Sequence, residues 1–129
     1  MAKPATKLSE QVRRGELYTV DCPSRGVLKH VTSLWGVLVL ITLRSGTHRF
    51  SDLRRKAKGV SEKMLAQTLQ GLEADGFVDR KSHPVVPPHV EYSLTPLGRE
   101  ASSQVESLVD WIEANLYQVM QARQRKQEI

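Results

Sequence analysis

Three side chains that can hydrogen-bond to the edges of DNA bases recur along one predicted helix. In the stretch VSEKMLAQTLQGLEADGF, Lys63, Gln67 and Gln70 lie about 180° from the leucines of the same segment, at about 100° per residue. Glutamine can pair with adenine through two hydrogen bonds, and lysine can bind guanine in the major groove. The spacing therefore predicts a base-reading helix face, although an ordinary solvated face would carry similar residues.

Cationic and hydroxyl side chains accompany this helix on both sides in the sequence. A base-reading helix needs phosphate contacts that fix its register on the duplex. The predicted phosphate-binding residues are Arg49, Ser51, Arg54, Arg55, Ser61, Arg80 and Lys81. Their clustering around one helix favours a nucleic-acid interface over a charge run that serves solubility alone.

The overall composition agrees with a polyanionic partner without identifying it. The 129 residues include 19 Lys and Arg against 14 Asp and Glu, which gives a net charge of +5. A hydrophobic content of 40% is enough for the core of one domain. The longest apolar run, Val37 to Leu43, is far too short to span a bilayer, and no secretory signal is present. We therefore expect a cytoplasmic protein without a membrane partner.

Cys22, the only cysteine, is the one candidate for thiol chemistry. It precedes Pro23 at a predicted helix start, where a helix N-terminus can activate a thiol. One cysteine excludes an intrachain disulfide and a multi-cysteine zinc site, and the four histidines are scattered without an H-E-x-x-H motif. We predict no catalytic residue, metal or cofactor, and expect Glu73 and Asp75 only to keep a helix end soluble. A peroxide-reducing or other thiol enzyme that uses Cys22 is the alternative.

The elements that must position these residues follow the order of a winged helix-turn-helix domain. Residues 1–20 are predicted to form a marginal N-terminal arm at the dimer interface. Within residues 21–95 we predict a helix after Pro23 with Ser24 as a candidate N-cap. The apolar segment that ends at Gly46 is predicted to be a buried helix, with a strand as the alternative because of its β-branched residues. A short basic helix capped by Ser51 and the longer helix capped by Ser61 come next. The predicted fold class is mainly α (α+β), with a two-stranded wing and a long C-terminal dimerisation helix.

The stretch HPVVPPHVEYSL predicts the wing. Its prolines fix φ and remove backbone donors, so they favour a stiff hairpin tip over a linker or an active-site loop. The wing residues of interest are His83, Pro87, Pro88 and His89.

The last predicted helix starts at Thr95-Pro96, reaches the low 120s and ends in a frayed tail within residues 96–129. An apolar stripe along it is longer than one small domain needs, so it is predicted to pack against a second copy, the alternative being packing within the chain. The predicted interface includes two residues of the arm. It consists of Leu8, Val12, Leu97, Ala101, Val105, Leu108, Trp111, Ile112, Leu116 and Val119. Two-fold symmetry then predicts a pseudo-palindromic DNA site.

From residue 22 to about 112 the chain resembles the HxlR-type winged-helix regulators of bacteria and archaea, which are MarR-like. The resemblance is carried by Cys22-Pro23, Trp35, Arg49-Phe50, Leu53-Arg54, Ser61, Met64-Leu65, Leu72-Glu73, Asp75-Gly76, Pro87-Pro88 and Glu91 to Thr95. It implies a homodimer on double-stranded operator DNA, with the second helix of the motif in the major groove and the wing on the backbone or minor groove. It also implies transcriptional control, for which we expect repression, with an oxidant or small molecule as inducer, since some relatives use a cysteine at the position of Cys22 as a redox or electrophile switch.

Two positions depart from the family pattern. Before Trp35 the family usually has a glycine-rich turn that contains a basic residue, whereas this chain has Thr32-Ser33-Leu34. After the double proline the family usually has arginine, whereas this chain has His89. Both changes remove a phosphate-binding charge, so we expect a wing contact that is weaker or sensitive to pH. A winged-helix module that binds protein instead of DNA stays open as an alternative.

Overall fold

The computed structural model describes residues 7–13 and 22–127. Helices and strands follow one another as α1 (Leu8–Arg13), α2 (Pro23–Thr32), α3 (Leu34–Leu43), β1 (His48–Arg49), α4 (Phe50–Lys56), α5 (Glu62–Ala74), β2 (Val78–His83), β3 (His89–Leu94), α6 (Pro96–Ala114) and α7 (Leu116–Gln127). This mainly helical architecture with a small antiparallel sheet confirms the predicted winged-helix fold. Within the predicted arm, only α1 lies among the described residues.

Helix α3 lies at the centre of the fold and packs against α2, α5, α6 and β3. Its almost continuous apolar sequence suits a helix that is covered on several sides. Leu40 and Leu43 of α3 meet Leu65, Leu69 and Leu72 of α5 in one core cluster. Burial of these leucines is what fixes the direction of the opposite, polar face of α5.

The helix-turn-helix segment follows local sequence signals with one correction. Ser61 caps α5 as predicted, since its Oγ accepts a hydrogen bond from the Met64 N–H at 3.1 Å. Ser51 is not the cap of α4, because that helix begins at Phe50 and Arg49 occupies the N-cap position. The reason is Asp52, whose carboxylate accepts a hydrogen bond from the Arg49 N–H and thereby satisfies the helix start.

The start of α2 also differs from the expectation that Ser24 caps it. Pro23 is the first helical residue and Cys22 is the N-cap, without a side-chain capping hydrogen bond. Proline fits the first helical position because its fixed φ is helical and its missing N–H has no partner there in any helix.

The sheet has one strand more than the predicted wing. Its order is β1-β3-β2, and all pairs are antiparallel. The β2-β3 hairpin is the wing, while β1 pairs with the base of β3 through His48 opposite Tyr92 and Arg49 opposite Glu91. Because β1 runs directly into α4, the sheet joins the wing to the helix-turn-helix segment.

The first turn of α6 docks closely on the residues before β2. Thr95 caps α6 through Oγ1, which accepts from the Gly98 N–H at 2.9 Å and donates to the Gly76 carbonyl at 2.6 Å. Farther along, the Arg44 guanidinium at the end of α3 donates to the buried Ser102 Oγ at 2.8 Å and pairs with Glu106. These contacts hold the N-terminal half of α6 on the core.

The predicted single C-terminal helix is interrupted at Asn115. Its side-chain amide donates to the Trp111 carbonyl at 2.8 Å, and its φ of −112° and ψ of 10° leave the helical region. Asparagine side chains compete with the helical backbone in this way. The tail that was expected to fray is helical to Gln127.

Among the described residues, no single helix is long and apolar enough to cross a membrane. The consecutive helices α2 and α3 reach that length and composition together, but they meet at 71°.

Candidate nucleic-acid interface

Helix α5 presents the three predicted base-reading side chains to solvent. Lys63, Gln67 and Gln70 are exposed, whereas Leu65 and Leu69 of the same helix are almost completely buried. These three positions carry one ammonium and two amide groups and no carboxylate. Such groups can hydrogen-bond to base edges in the major groove.

A connecting turn holds α4 beside the start of α5. Ala57 and Val60 are buried in the turn, and Gly59 adopts a φ of 94°, which is accessible to glycine without strain. Across the turn, the Arg54 guanidinium lies 3.0 Å from the Glu62 carboxylate in the first turn of α5. A basic helix and a polar helix face are thus fixed next to each other.

Candidate phosphate contacts on and near α4 are exposed, but some have acidic partners within the chain. Arg49, Ser51 and Arg54 are exposed, and so is Arg55, whose side chain is 72% accessible although it lies 2.7 Å from Asp52. Burial alone would raise the pKa of Asp52, but the hydrogen bond from the Arg49 backbone and the adjacent Arg55 hold it below its ordinary value. Exposed pairs of this kind are worth about 0–1 kcal/mol, so a phosphate can replace the carboxylate at little cost.

The two cations of the wing face opposite sides of the sheet. Arg80 is paired with Tyr92 and Lys81 with Glu91, and consecutive strand residues alternate between faces. Both side chains are exposed. The two cations are therefore available on different faces of the hairpin.

The wing histidines are directed towards a carboxylate of their own chain, and sequence reasoning did not identify this cluster. His83 Nε2 lies 3.2 Å and His89 Nε2 lies 3.3 Å from the two oxygens of Glu91. Burial alone would raise the pKa of Glu91, but the nearby histidines together hold it below its ordinary value. The signal was present in the sequence, because a hairpin across the prolines pairs His83 with His89 and puts Glu91 on the same face two residues later.

The tip of the wing is apolar and extends into solvent. Pro87 and Pro88 are exposed there, and the neighbouring Val86 is 99% accessible. Sequence reasoning singled out the prolines and histidines and overlooked Val85 and Val86.

One exposed side chain and one contact near α5 were also missed. Met64 is 44% exposed beside the base-reading face, although a methionine in an amphipathic helix resembles a core residue. Asp75 was expected only to aid solubility, but its Oδ2 lies 2.6 Å from His30 Nδ1 and so ties the end of α5 to α2. Non-local contacts of this kind have no signature in residue spacing.

The apolar stripe of the C-terminal region divides into a covered half and an exposed half. Val105 is buried in the core of its own chain, which corrects its assignment to an intersubunit surface, and Ala101 is partly buried against that core. The remaining predicted residues of α6 and α7 are between 39% and 61% exposed. These are Leu97, Leu108, Trp111, Ile112, Leu116 and Val119.

The N-terminal candidates lie near α2. Leu8 and Val12 are half-buried, and Leu8 lines a cleft of about 380 Å³ together with Pro23, Val27 and Val31. Cys22 is a free, partly exposed thiol at the start of the same helix. Leu8 of α1 therefore lies against α2, which begins directly after Cys22.

Comparison with known proteins agrees with this architecture. The model of the HxlR-like helix-turn-helix family matches residues 30–120. The HTH-type transcriptional regulator YtfH of Escherichia coli strain K12 is 65% identical over 119 residues, which cover 92% of this chain and 94% of the relative.

Solved structures give the same result. The regulator YtfH from Salmonella typhimurium is 69% identical, with a TM-score of 0.80 over 84% of this chain and 96% of the other. The redox regulator HypR in its oxidised form is 36% identical, with a TM-score of 0.66 over 73% of this chain and 97% of the other. The chain belongs to the HxlR-like helix-turn-helix family of transcriptional regulators.

Proposed function

We propose that this regulator is a homodimer that binds a pseudo-palindromic DNA operator and represses transcription in the cytoplasm. The observation that carries the proposal is the exposed face of α5, where Lys63, Gln67 and Gln70 stand opposite a buried leucine face. A helix of 13 residues with one polar face fits the major groove.

Phosphate contacts would fix α5 in register. Arg49, Ser51, Arg54 and Arg55 are exposed around α4, and Ser61 is exposed at the start of α5. The Ser61 hydroxyl accepts from the helix backbone and keeps its proton for donation to a phosphate oxygen. The N-terminus of α5 adds a favourable dipole for an anion.

The wing would make its contact through Arg80 or Lys81 rather than through the histidines. His83 and His89 face Glu91, so they are less available to phosphate than the exposed cations of β2. Pro87 and Pro88 would stiffen the tip that approaches the DNA.

Dimerisation is supported by the exposed apolar surface of α6 and α7. No described residue of α7 is buried within the chain, although Leu116, Val119 and Met120 lie on it. A contiguous apolar surface of this kind indicates a protein interface. Leu34 of α3, which is 64% exposed, offers a further apolar contact that the sequence reasoning did not include.

Selection of bound sequences from a random DNA pool with the purified protein tests the proposal directly. We expect a two-fold symmetric consensus whose half-sites are about one helical turn apart, or a multiple of that spacing. Failure to enrich any sequence, together with salt-insensitive binding to a protein partner, would point to an interaction module instead.

Gln67→Ala should weaken binding to the selected operator by about 1–3 kcal/mol and relax base preference at one position of each half-site, because a bidentate base contact is lost. Fluorescence anisotropy on operator and scrambled duplexes measures both effects. An equal loss on the two duplexes contradicts a base-reading role.

Arg55→Ala is the matched contrast to Gln67→Ala. Removing a phosphate contact should weaken binding on both duplexes and make the slope of log K against log salt shallower by about one unit. A sequence-dependent loss would assign Arg55 to base contact instead.

We also propose that Cys22 makes the regulator responsive to oxidants or electrophiles. The thiol is free and partly exposed, and the structurally similar HypR is described as a redox regulator. Diamide treatment should lower operator affinity of the native protein, while Cys22→Ser should bind operator equally with and without diamide. Unchanged affinity of a protein whose Cys22 is fully modified, as shown by mass spectrometry, rules the switch out. Peroxide turnover that requires Cys22 would indicate a thiol enzyme.

A further inference from the structure

The wing carries a cluster of three potential metal ligands that the DNA-binding proposal does not use. One nitrogen each of His83 and His89 and one oxygen of Glu91 lie within 4.8 Å of one another. His83 and His89 are directly opposite in the β2-β3 register, and their rings are stacked with centroids 4.7 Å apart. Backbone pairing therefore places the two imidazoles side by side.

The separations suit a small divalent ion. In a tetrahedral zinc site with bonds of about 2.0–2.1 Å, neighbouring ligand atoms are about 3.3 Å apart. His83 Nε2 lies 3.2 Å from one oxygen of Glu91, and His89 Nε2 lies 3.3 Å from the other oxygen. For a set that uses a single Glu91 oxygen, the three ligand atoms lie within 4.8 Å of one another, so side-chain rotations must bring them to bonding separation.

One of the three groups lacks a hydrogen-bond partner. His83 Nε2 is buried and makes no hydrogen bond within the described part of the chain, since its approach to Glu91 has ion-pair distance without hydrogen-bond geometry. A buried polar atom without a partner costs about 1–3 kcal/mol. A metal ion in front of this nitrogen would remove that cost.

We propose that His83, His89 and Glu91 bind one divalent transition-metal ion, with Zn²⁺ as the best-fitting ion. Two imidazoles and one carboxylate are a recognised zinc ligand set and leave a fourth position for water. Imidazole ligands also suit copper, nickel and iron, whereas magnesium and calcium prefer all-oxygen sites. The ion would link β2 to β3 below the proline tip.

The charge around the cluster does not oppose this assignment. Glu91 supplies the one carboxylate of the ligand set. Lys81 on β2 and Arg49 on β1 are the two cations opposite Glu91 in the register, and both are exposed. Exposed lysine and arginine side chains can turn into solvent when the ion binds.

Metal binding is tested on tag-free, full-length protein in the absence of DNA, by calorimetric titration with Zn²⁺ and by visible absorption with Co²⁺. We expect one ion per chain and a cobalt spectrum of low coordination number. Each of three single variants should weaken Zn²⁺ binding: His83→Gln, His89→Gln and Glu91→Gln. Loss of a residue that only hydrogen-bonds to a metal ligand typically lowers metal affinity by roughly 10- to 100-fold, so loss of a ligand should lower it at least as much.

His48→Gln is the matched control, because His48 lies on β1 outside the cluster. This variant should bind Zn²⁺ as the native protein does, and Zn²⁺ should raise the Tm of both but not that of His83→Gln. Circular dichroism verifies that each variant is folded. If a histidine variant is unfolded, the comparison with the native protein uses Glu91→Gln instead. Absence of Zn²⁺ binding to the native protein, or equal affinity in the folded cluster variants, overturns the proposal.

Discussion

Replacing Ile112 by aspartate is expected to separate the dimer into monomers and to lower operator affinity by roughly 100- to 10,000-fold, the usual gain from joining two binding modules. Ile112 is 44% exposed in the isolated chain and lies on α6 in the apolar stripe that includes Leu108 of α6 and Leu116 of α7. In a dimer the new carboxylate would be buried without a partner, and such burial costs several kcal/mol.

The control places the same charge on the other side of α6. Ser103 lies nine residues before Ile112, about 180° around the helix at about 100° per residue, and it is exposed. Ser103→Asp should therefore remain dimeric. Sedimentation analysis gives the oligomeric state, and anisotropy gives the operator affinity at the same protomer concentration. A monomeric native protein, or a dimeric Ile112→Asp with full affinity, would refute the assignment of this surface.

Gly98→Ala should destabilise the fold by about 3 kcal/mol, at the upper end of the usual cost of overpacking. An added Cβ would lie 1.9 Å from the Phe77 carbonyl oxygen and 2.8 Å from its carbon. Neither atom can move easily, because the Phe77 carbonyl accepts a hydrogen bond from the Thr95 N–H at 3.1 Å. Relief of the clash would have to displace the first turn of α6.

Gly26→Ala provides the matched comparison, since a Cβ at Gly26 meets no atom within 4 Å. Gly26 lies inside α2, where alanine is favoured over glycine by roughly 0.5–1 kcal/mol, so this variant should be neutral or stabilised. Thermal unfolding at one fixed protomer concentration measures both, and we expect Gly98→Ala to lower Tm by about 10 °C or more. Similar Tm values for the two variants would show that α6 can shift away from Phe77 without cost.

Local signals explain why much of the fold was predictable. Ser61 and Thr95 indicate the starts of α5 and α6 because their hydroxyl groups cap these helices. Gly59 and Gly76 follow α4 and α5 and adopt positive φ, as is typical of glycines after a helix. The leucine spacing of α5 fixed its buried face and therefore its exposed one. These features depend on residues within one turn of each other, so they can be predicted from residue type and spacing.

Two local features were missed because several residues offered competing signals: α4 starts through Asp52 rather than Ser51, and the C-terminal helix is interrupted at Asn115 by one side-chain amide. Features that depend on distant residues were not predictable in the same way. Pairing of β1 with β3 joins residues more than forty positions apart. The burial of Val105 likewise depends on how α6 lies against α3, which a helical repeat does not specify.

The short strand β1 has a consequence for the geometry of DNA sites. It leads without a loop into α4 and is hydrogen-bonded to β3, so the wing cannot swing independently of the helix-turn-helix segment. We expect the distance between the α5 contact and the wing contact to be the same in every half-site. Insertion of one base pair between these two contacts should therefore abolish one of them. Variation in spacing between operators should then be confined to the centre, between the two half-sites.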